Sequence, residues 1–192
     1  MLAAVSPFLG GDSAPGQNEA NRPTPTKPGP IPMYQFRKRQ GCFTPGGGSY
    51  ADNTPLDSVG RATGGYACIN PATYKGGSTT QAEKPNGYIE GEDNRSHLVA
   101  REHGGGRTVE NIVPMYEQAN QNNNWGMRRF ENEINDQLKN GRTVYEAVRP
   151  VYGNAIRPVG VDMYMVTNGG YGCHLWVPNA RTGASSTGIT CG

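Results

Sequence analysis

The stretch from Asn124 to Asn140 does most to limit the folds open to this chain. Met127, Phe130, Ile134 and Leu138 recur three, four and four residues apart, which sets them in one apolar stripe along a helix. Gly141 follows Lys139 and Asn140 as a stop signal, because glycine readily takes the left-handed backbone of a helix end. Three strand candidates come next. RTVYEAVRPVY is the first; VGVDMYMVT turns Val161, Met163 and Met165 to one face; YGCHLWV does the same with Tyr171, Cys173, Leu175 and Val177.

Ahead of the helix, MYQF and GYACI read as short strands among Gly, Pro, Asn and Asp clusters. SHLVARE reads as a strand entering a glycine-rich turn, and NIVPMYEQANQNNNW as a short helical or irregular connector. A strand, connector and helix with antiparallel-type strands on either side is an α+β pattern. The 192 residues suit one domain, and 28 Gly, 15 Pro and 34% hydrophobic residues favour a loop-rich fold with one modest core. Residues 1–33 read as a disordered, proline-rich linker: SAPGQNEANRPTPTKPGPIP holds six prolines and no periodicity. Residues 34–192 form the domain. No internal repeat is found.

Net charge of +2 is no strong nucleic-acid signature by itself. The run Arg37, Lys38, Arg39 is read as a solvated strand edge ahead of a phosphate patch. No run of 18 apolar residues exists, so neither a transmembrane helix nor a membrane partner is expected. The opening MLAAVSPFLGG is short for a signal peptide and lacks its basic leader. Cys42, Cys68, Cys173 and Cys191 never form CxxC, which argues against a zinc ribbon. Their even count suits two disulfides in a protein that works outside the cytosol. Three pairings are open; Cys173–Cys191, which would anchor a polar tail, is preferred, and with it Cys42–Cys68.

The chemistry-bearing residues gather between 94 and 131. His97 stands at the start of the SHLVARE strand, Asn120 in the connector, and Glu131 in the helix beside Phe130, bordering its apolar stripe. An imidazole that can take a proton, an amide oxygen and a carboxylate are the parts of metal-assisted hydrolysis. Spacing alone favours ordinary roles: a strand-edge histidine, a loop asparagine, a solvated glutamate.

The order of motifs changes that balance. NRSHLVAREHGG, then ENIVPMYEQANQ, then RRFENEINDQLKNGRTVYEAVRPVY resembles the DNA/RNA non-specific endonuclease family with the ββα-metal fold. PLDSVGRATGGYA is similar to the strand leading into the motif in secreted bacterial toxin members. The resemblance spans roughly residues 50–180. It implies an antiparallel sheet flanked by helices and long loops. It also implies His97 as general base, Asn120 as metal ligand, Glu131 as the carboxylate positioning metal-bound water, and Arg95 as the motif arginine. Arg61 resembles an upstream arginine facing the substrate phosphate, a role suited to its planar, always charged fork.

The implied activity is hydrolysis of DNA or RNA phosphodiesters with Mg²⁺, or Mn²⁺ in its place, with little sequence preference and 5′-phosphate products. The implied setting is a secreted domain or a toxin delivered into a target cell, with the leader as tether and an immunity protein as partner. Two positions depart from the family's D-R-G-H: Asn94 replaces the aspartate and Ser96 the glycine, while Asp93 lies one residue earlier. An extracellular scavenging nuclease is one alternative; a disulfide-stapled binding module with a decayed motif is another.

The remaining candidates read as structural. His103 is expected in a turn, His174 on the sheet surface, and Trp125 and Trp176 in packing. Asn122, Asn123 and Asn124 are expected in solvated loop, with a ligand role only in place of Asn120. Deleting residues 1–30 should leave the melting transition and nucleic-acid cleavage intact, as checked by thermal melts and plasmid digestion of the truncated chain.

Overall fold

The structure, a computed structural model, describes residues 41–74, 81–182 and 189–192. The expected MYQF strand, the 1–33 linker and the Arg37–Arg39 run lie outside them. The described part includes eight strands and two α-helices, with 3-10 turns at Arg101–His103 and Val109–Asn111: β1 (Tyr50–Asn53), β2 (Gly65–Ile69), β3 (Asp93–His97), β4 (Ile112–Tyr116), α1 (Glu117–Gln121), α2 (Met127–Lys139), β5 (Val144–Val151), β6 (Gly160–Thr167), β7 (Gly172–Pro178) and β8 (Thr190–Cys191). Six of the strands form an antiparallel sheet in the order β1-β2-β5-β6-β7-β8, and β3 and β4 form a separate ribbon.

Strand register explains the core. Across the sheet Ala67 faces Glu146, Glu146 faces Met165, and Met165 faces Cys173, so side chains in this row point the same way. That face also carries Val148, Met163 and Leu175, and it packs with the Met127, Phe130, Ile134 and Leu138 stripe of α2 in one buried cluster. The opposite face is apolar too: Tyr66, Cys68, Tyr145, Ala147 and Val166 cluster with Cys42. Trp176 is buried and lies against Gly160, where a Cβ would come 2.5 Å from its ring, so a larger residue there would displace it. Trp125 packs on the main core. Both tryptophans are packing residues, as expected.

The helix begins with the first residue of its apolar stripe, Met127, three residues after the expected start at Asn124. Asn122 Oδ1 accepts hydrogen bonds from the backbone N–H of Asn124 (2.8 Å) and Trp125 (3.3 Å), making a turn that hands the chain to α2. At the other end Gly141 has φ +75°, the left-handed stop its position foretold.

Two segments depart from expectation. The strand before the glycines is Asp93–His97, so His97 closes it instead of opening it. Leu98, Val99 and Ala100 are buried but unpaired as strand. The supposed connector begins with a true strand, β4, whose five residues are all buried. A fully buried strand shows no alternation, which is why its pattern read as irregular.

The cysteines pair as Cys42–Cys68 and Cys173–Cys191, and none among the described residues is free. Peptide mapping without reductant should recover these two cross-linked pairs alone; a Cys42–Cys173 or Cys68–Cys191 peptide would contradict the register of β2 and β7.

Candidate active site

The β3–β4 ribbon is set by pairing Asp93 with Tyr116, Arg95 with Pro114 and His97 with Ile112. Beyond His97 the chain leaves the ribbon because Asn111 takes over the role of a pairing strand. Its Oδ1 accepts the Val99 N–H (3.0 Å), and its Nδ2 donates to Val99 O (3.0 Å) and Gly106 O (2.7 Å). Asn53 adds a bond from β1 to the same Oδ1 at 2.9 Å. The 3-10 turn Arg101–His103 then ends at Gly104, with φ +93°, and a Cβ on Gly105 would stand 1.9 Å from Val99 O. Only glycine can close this loop so tightly.

This clamp holds His97 half-buried at the ribbon end. Its Nε2 is enclosed and has no hydrogen-bond partner. Burial, reinforced by the charge of Arg101, lowers its pKa to about 4, so the ring is neutral at neutral pH. A neutral imidazole with an unused nitrogen can accept a proton.

Strand alternation puts Asp93, Arg95 and His97 on one side of the ribbon and Asn94 and Ser96 on the other. Arg95 donates to Ala82 O at 2.8 Å and lies over the Tyr88 ring. Asp93 is bound to Arg157 at 2.8 Å and accepts the Ile89 N–H. Its charge therefore anchors the start of β3 and does not stand in for the missing carboxylate at Asn94.

Asn120 lies half-buried on α1, which packs on β3, β4 and α2. The fold thus sets His97 and Asn120 on adjoining elements. Glu131, buried on α2, is bound by Arg128 Nη1 at 3.2 Å. Burial raises its pKa, while His103 and Arg128 pull it down. None of the hydrogen bonds Glu131 forms among the described residues reaches His97 or Asn120. Arg61 is held by Asp57 at 2.7 Å, donates to Ala155 O and lies over Tyr152. Asn122 serves the turn before α2, and Asn123 accepts a bond from Asn132.

The other histidines divide. His174 lies partly exposed on the sheet and contacts Asp162, as a surface residue should. His103 does sit in a turn, but its side chain is buried, with Nδ1 3.1 Å from Glu146 Oε1. Sequence reasoning missed this pair, along with Asn111 and Arg157. The only signal for Glu146 was a charged residue at an inward position of an alternating strand.

Comparison with known proteins follows this geometry. Residues 47–169 match the family model of DNA/RNA non-specific endonucleases, and the chain belongs to that family. Its ββα-metal nuclease fold is shared with solved structures of low identity. NucA from Streptococcus agalactiae with magnesium bound aligns at 18% identity and TM-score 0.56, over 78% of this chain and 82% of that one. Sda1 nuclease with bound zinc aligns at 19% and 0.57, over 70% and 75%. A protein described as an extracellular endonuclease aligns at 17% and 0.56, over 77% and 88%. No curated protein sequence matches the chain.

Asn111→Ala should expose the importance of the clamp. Leaving Val99 N–H and C=O buried without partners costs about 1–3 kcal/mol each. Urea melts should show the loss, and hydrogen exchange at Val99 should rise well before global unfolding.

Proposed function

We propose that this family member is a metal-dependent endonuclease that hydrolyses DNA and RNA phosphodiesters with little sequence preference, using His97 as general base. The observation that carries this reading is a neutral, half-buried His97 held at the end of the ribbon by its neighbours. It would take the proton of the attacking water, while Arg95, on the same side of β3, is available to phosphate. Contacts to backbone oxygens carry no base information, hence the weak sequence preference.

The donor set fits a hard cation. Asn120 offers an amide oxygen, and no group of three or more His, Cys, Asp or Glu suited to a metal occurs among the described residues. Mg²⁺ tolerates this, since it keeps most of its water shell and uses few protein ligands. When bound it would supply positive charge to the phosphorane-like transition state and the leaving oxygen. Asn120 would hold it, and Glu131 would act through its water shell.

Two disulfides support an oxidising compartment. We place the protein outside the producing cell, as a secreted nuclease or a delivered toxin domain with an immunity protein as partner. The toxin reading is supported by the motif resemblance and the proline-rich leader. Asn94, in place of the family's aspartate, favours the competing reading of a non-catalytic module, so the test must be catalytic.

Purified protein should cut plasmid and RNA with Mg²⁺ and fall silent with chelator. His97→Ala should lose on the order of a hundredfold or more in rate while keeping its melting temperature. Asn120→Ala should lose activity and metal dependence together, and Glu131→Ala should fall between these and wild type. Cleavage unchanged by chelator, or by His97→Ala, would defeat the proposal.

A further inference from the structure

The face of α2 that meets the sheet is not wholly apolar. Arg128, Glu131 and Asn135, spaced three and four apart, form a polar stripe beside the packing stripe. It meets Glu146, which β5 turns to the same side as Met165 and Cys173. His103 lies between them. Its Nδ1 is 3.1 and 3.2 Å from the two Glu146 oxygens, and its Nε2 is 3.3 Å from Asn135 Oδ1.

The amide of Asn135 is oriented by its other contact, in which Nδ2 donates to Glu102 Oε1 at 2.9 Å. A carboxylate only accepts, so the oxygen of Asn135 must be the end turned to His103. Both ring nitrogens of His103 therefore face acceptors, and both must carry hydrogen. The ring is an imidazolium.

We propose that His103 is a positioning residue of the nuclease site: a buried cation that keeps the Glu131 carboxylate ionised and holds α2 in register over β5. The proposal rests on the reading of Glu131 given above. Glu131 and Asn135 are one helical turn apart, so the group bonded to Asn135 lies next to the Glu131 carboxylate. Burial and the nearby Glu146 carboxylate both favour protonation of Glu131; the His103 cation and Arg128 oppose this.

The charged and titratable groups around His103 are Glu146 from β5, Glu131 from α2, Glu102 from its own turn, and Tyr50 of β1 and Tyr74 after β2, which line the same cavity, with Arg128 beyond on Glu131 and Glu102. Burial lowers the His103 pKa, but Glu146, Glu131 and Asn135 outweigh it and raise it to about 8. A folded value above the ordinary 6.5 means the stabilisation is complete below pH 6.5 and fades as pH rises through about 8.

The test uses the full chain. In wild type, ¹⁵N NMR of the imidazoles should show both His103 nitrogens protonated at pH 7, with a midpoint near 8. Glu131→Gln should lower that midpoint by about one pH unit. His103→Gln should move the acid limb of kcat up by about one pH unit, roughly tenfold in rate at a fixed acidic pH, with KM unchanged. A His103 titrating below 6.5, a midpoint unmoved in Glu131→Gln, or an unmoved acid limb in a folded His103→Gln overturns the proposal. Should His103→Gln not fold, the two titrations still decide it. A Glu131→Gln enzyme as active as wild type, with the midpoint moved, would instead overturn the reading of Glu131 and remove the role that rests on it.

Discussion

The placement of Glu131 and the burial of His103 depend on how α2 seats on the inner face of the sheet. Phe130 and Ile134 are fully buried there, and burying side chains of this size is worth about 1.5–3 kcal/mol each. The same seating drives Glu131 out of water and brings Asn135 to His103. Hydrophobic packing thus creates an electrostatic problem beside the chemistry. The His103 charge opposes it at Glu131, while the Glu146 carboxylate that pairs with His103 acts the other way. Apolar and ionic parts of this core are one construction.

The ribbon depends on the sheet in a different way, through polar side chains bonded to backbone. Asn179 is buried and spans from Tyr116 N–H to Pro114 O and Pro158 O. Arg157 binds Asp93 and Glu92 and donates to the Tyr116 hydroxyl at 2.7 Å. These contacts tie the Asp93–Tyr116 end of a two-stranded element that could not stand alone, and the Asn111 clamp holds the His97 end. The Asn111 clamp accounts for why His97 can be left with an unpartnered nitrogen: its neighbours, not its own bonds, keep it in place.

What the sequence disclosed follows from what each residue reports locally. The α2 stripe, the Gly141 stop, the alternation of β6 and β7 and the nature of the two tryptophans were all legible, because periodicity and turn chemistry are short-range signals. β4 was not, since a strand buried on both sides loses its alternation. The true end of β3 was hidden because the thing that ends it, Asn111, pairs through its side chain across twelve residues. His103 does lie in its expected turn, but its burial was hidden for the same reason. Followed by three glycines it looks like a turn residue, and its partner Glu146 lies 43 residues away. Motif order, by contrast, carried the family without any knowledge of contacts.

The Cys173–Cys191 bond does more than pin a tail. It fixes β8 against β7, where Cys173 faces Cys191 and His174 faces Thr190, with Gly172 and Gly192 exchanging backbone bonds beyond. Remove the cross-link and a two-residue strand has little reason to stay. The outer N–H and C=O groups of β7 would then stand open, a ready template for another chain to pair with. Loss of that cross-link would add a liability to self-association. It would be governed by a two-residue strip of backbone far in sequence from His97.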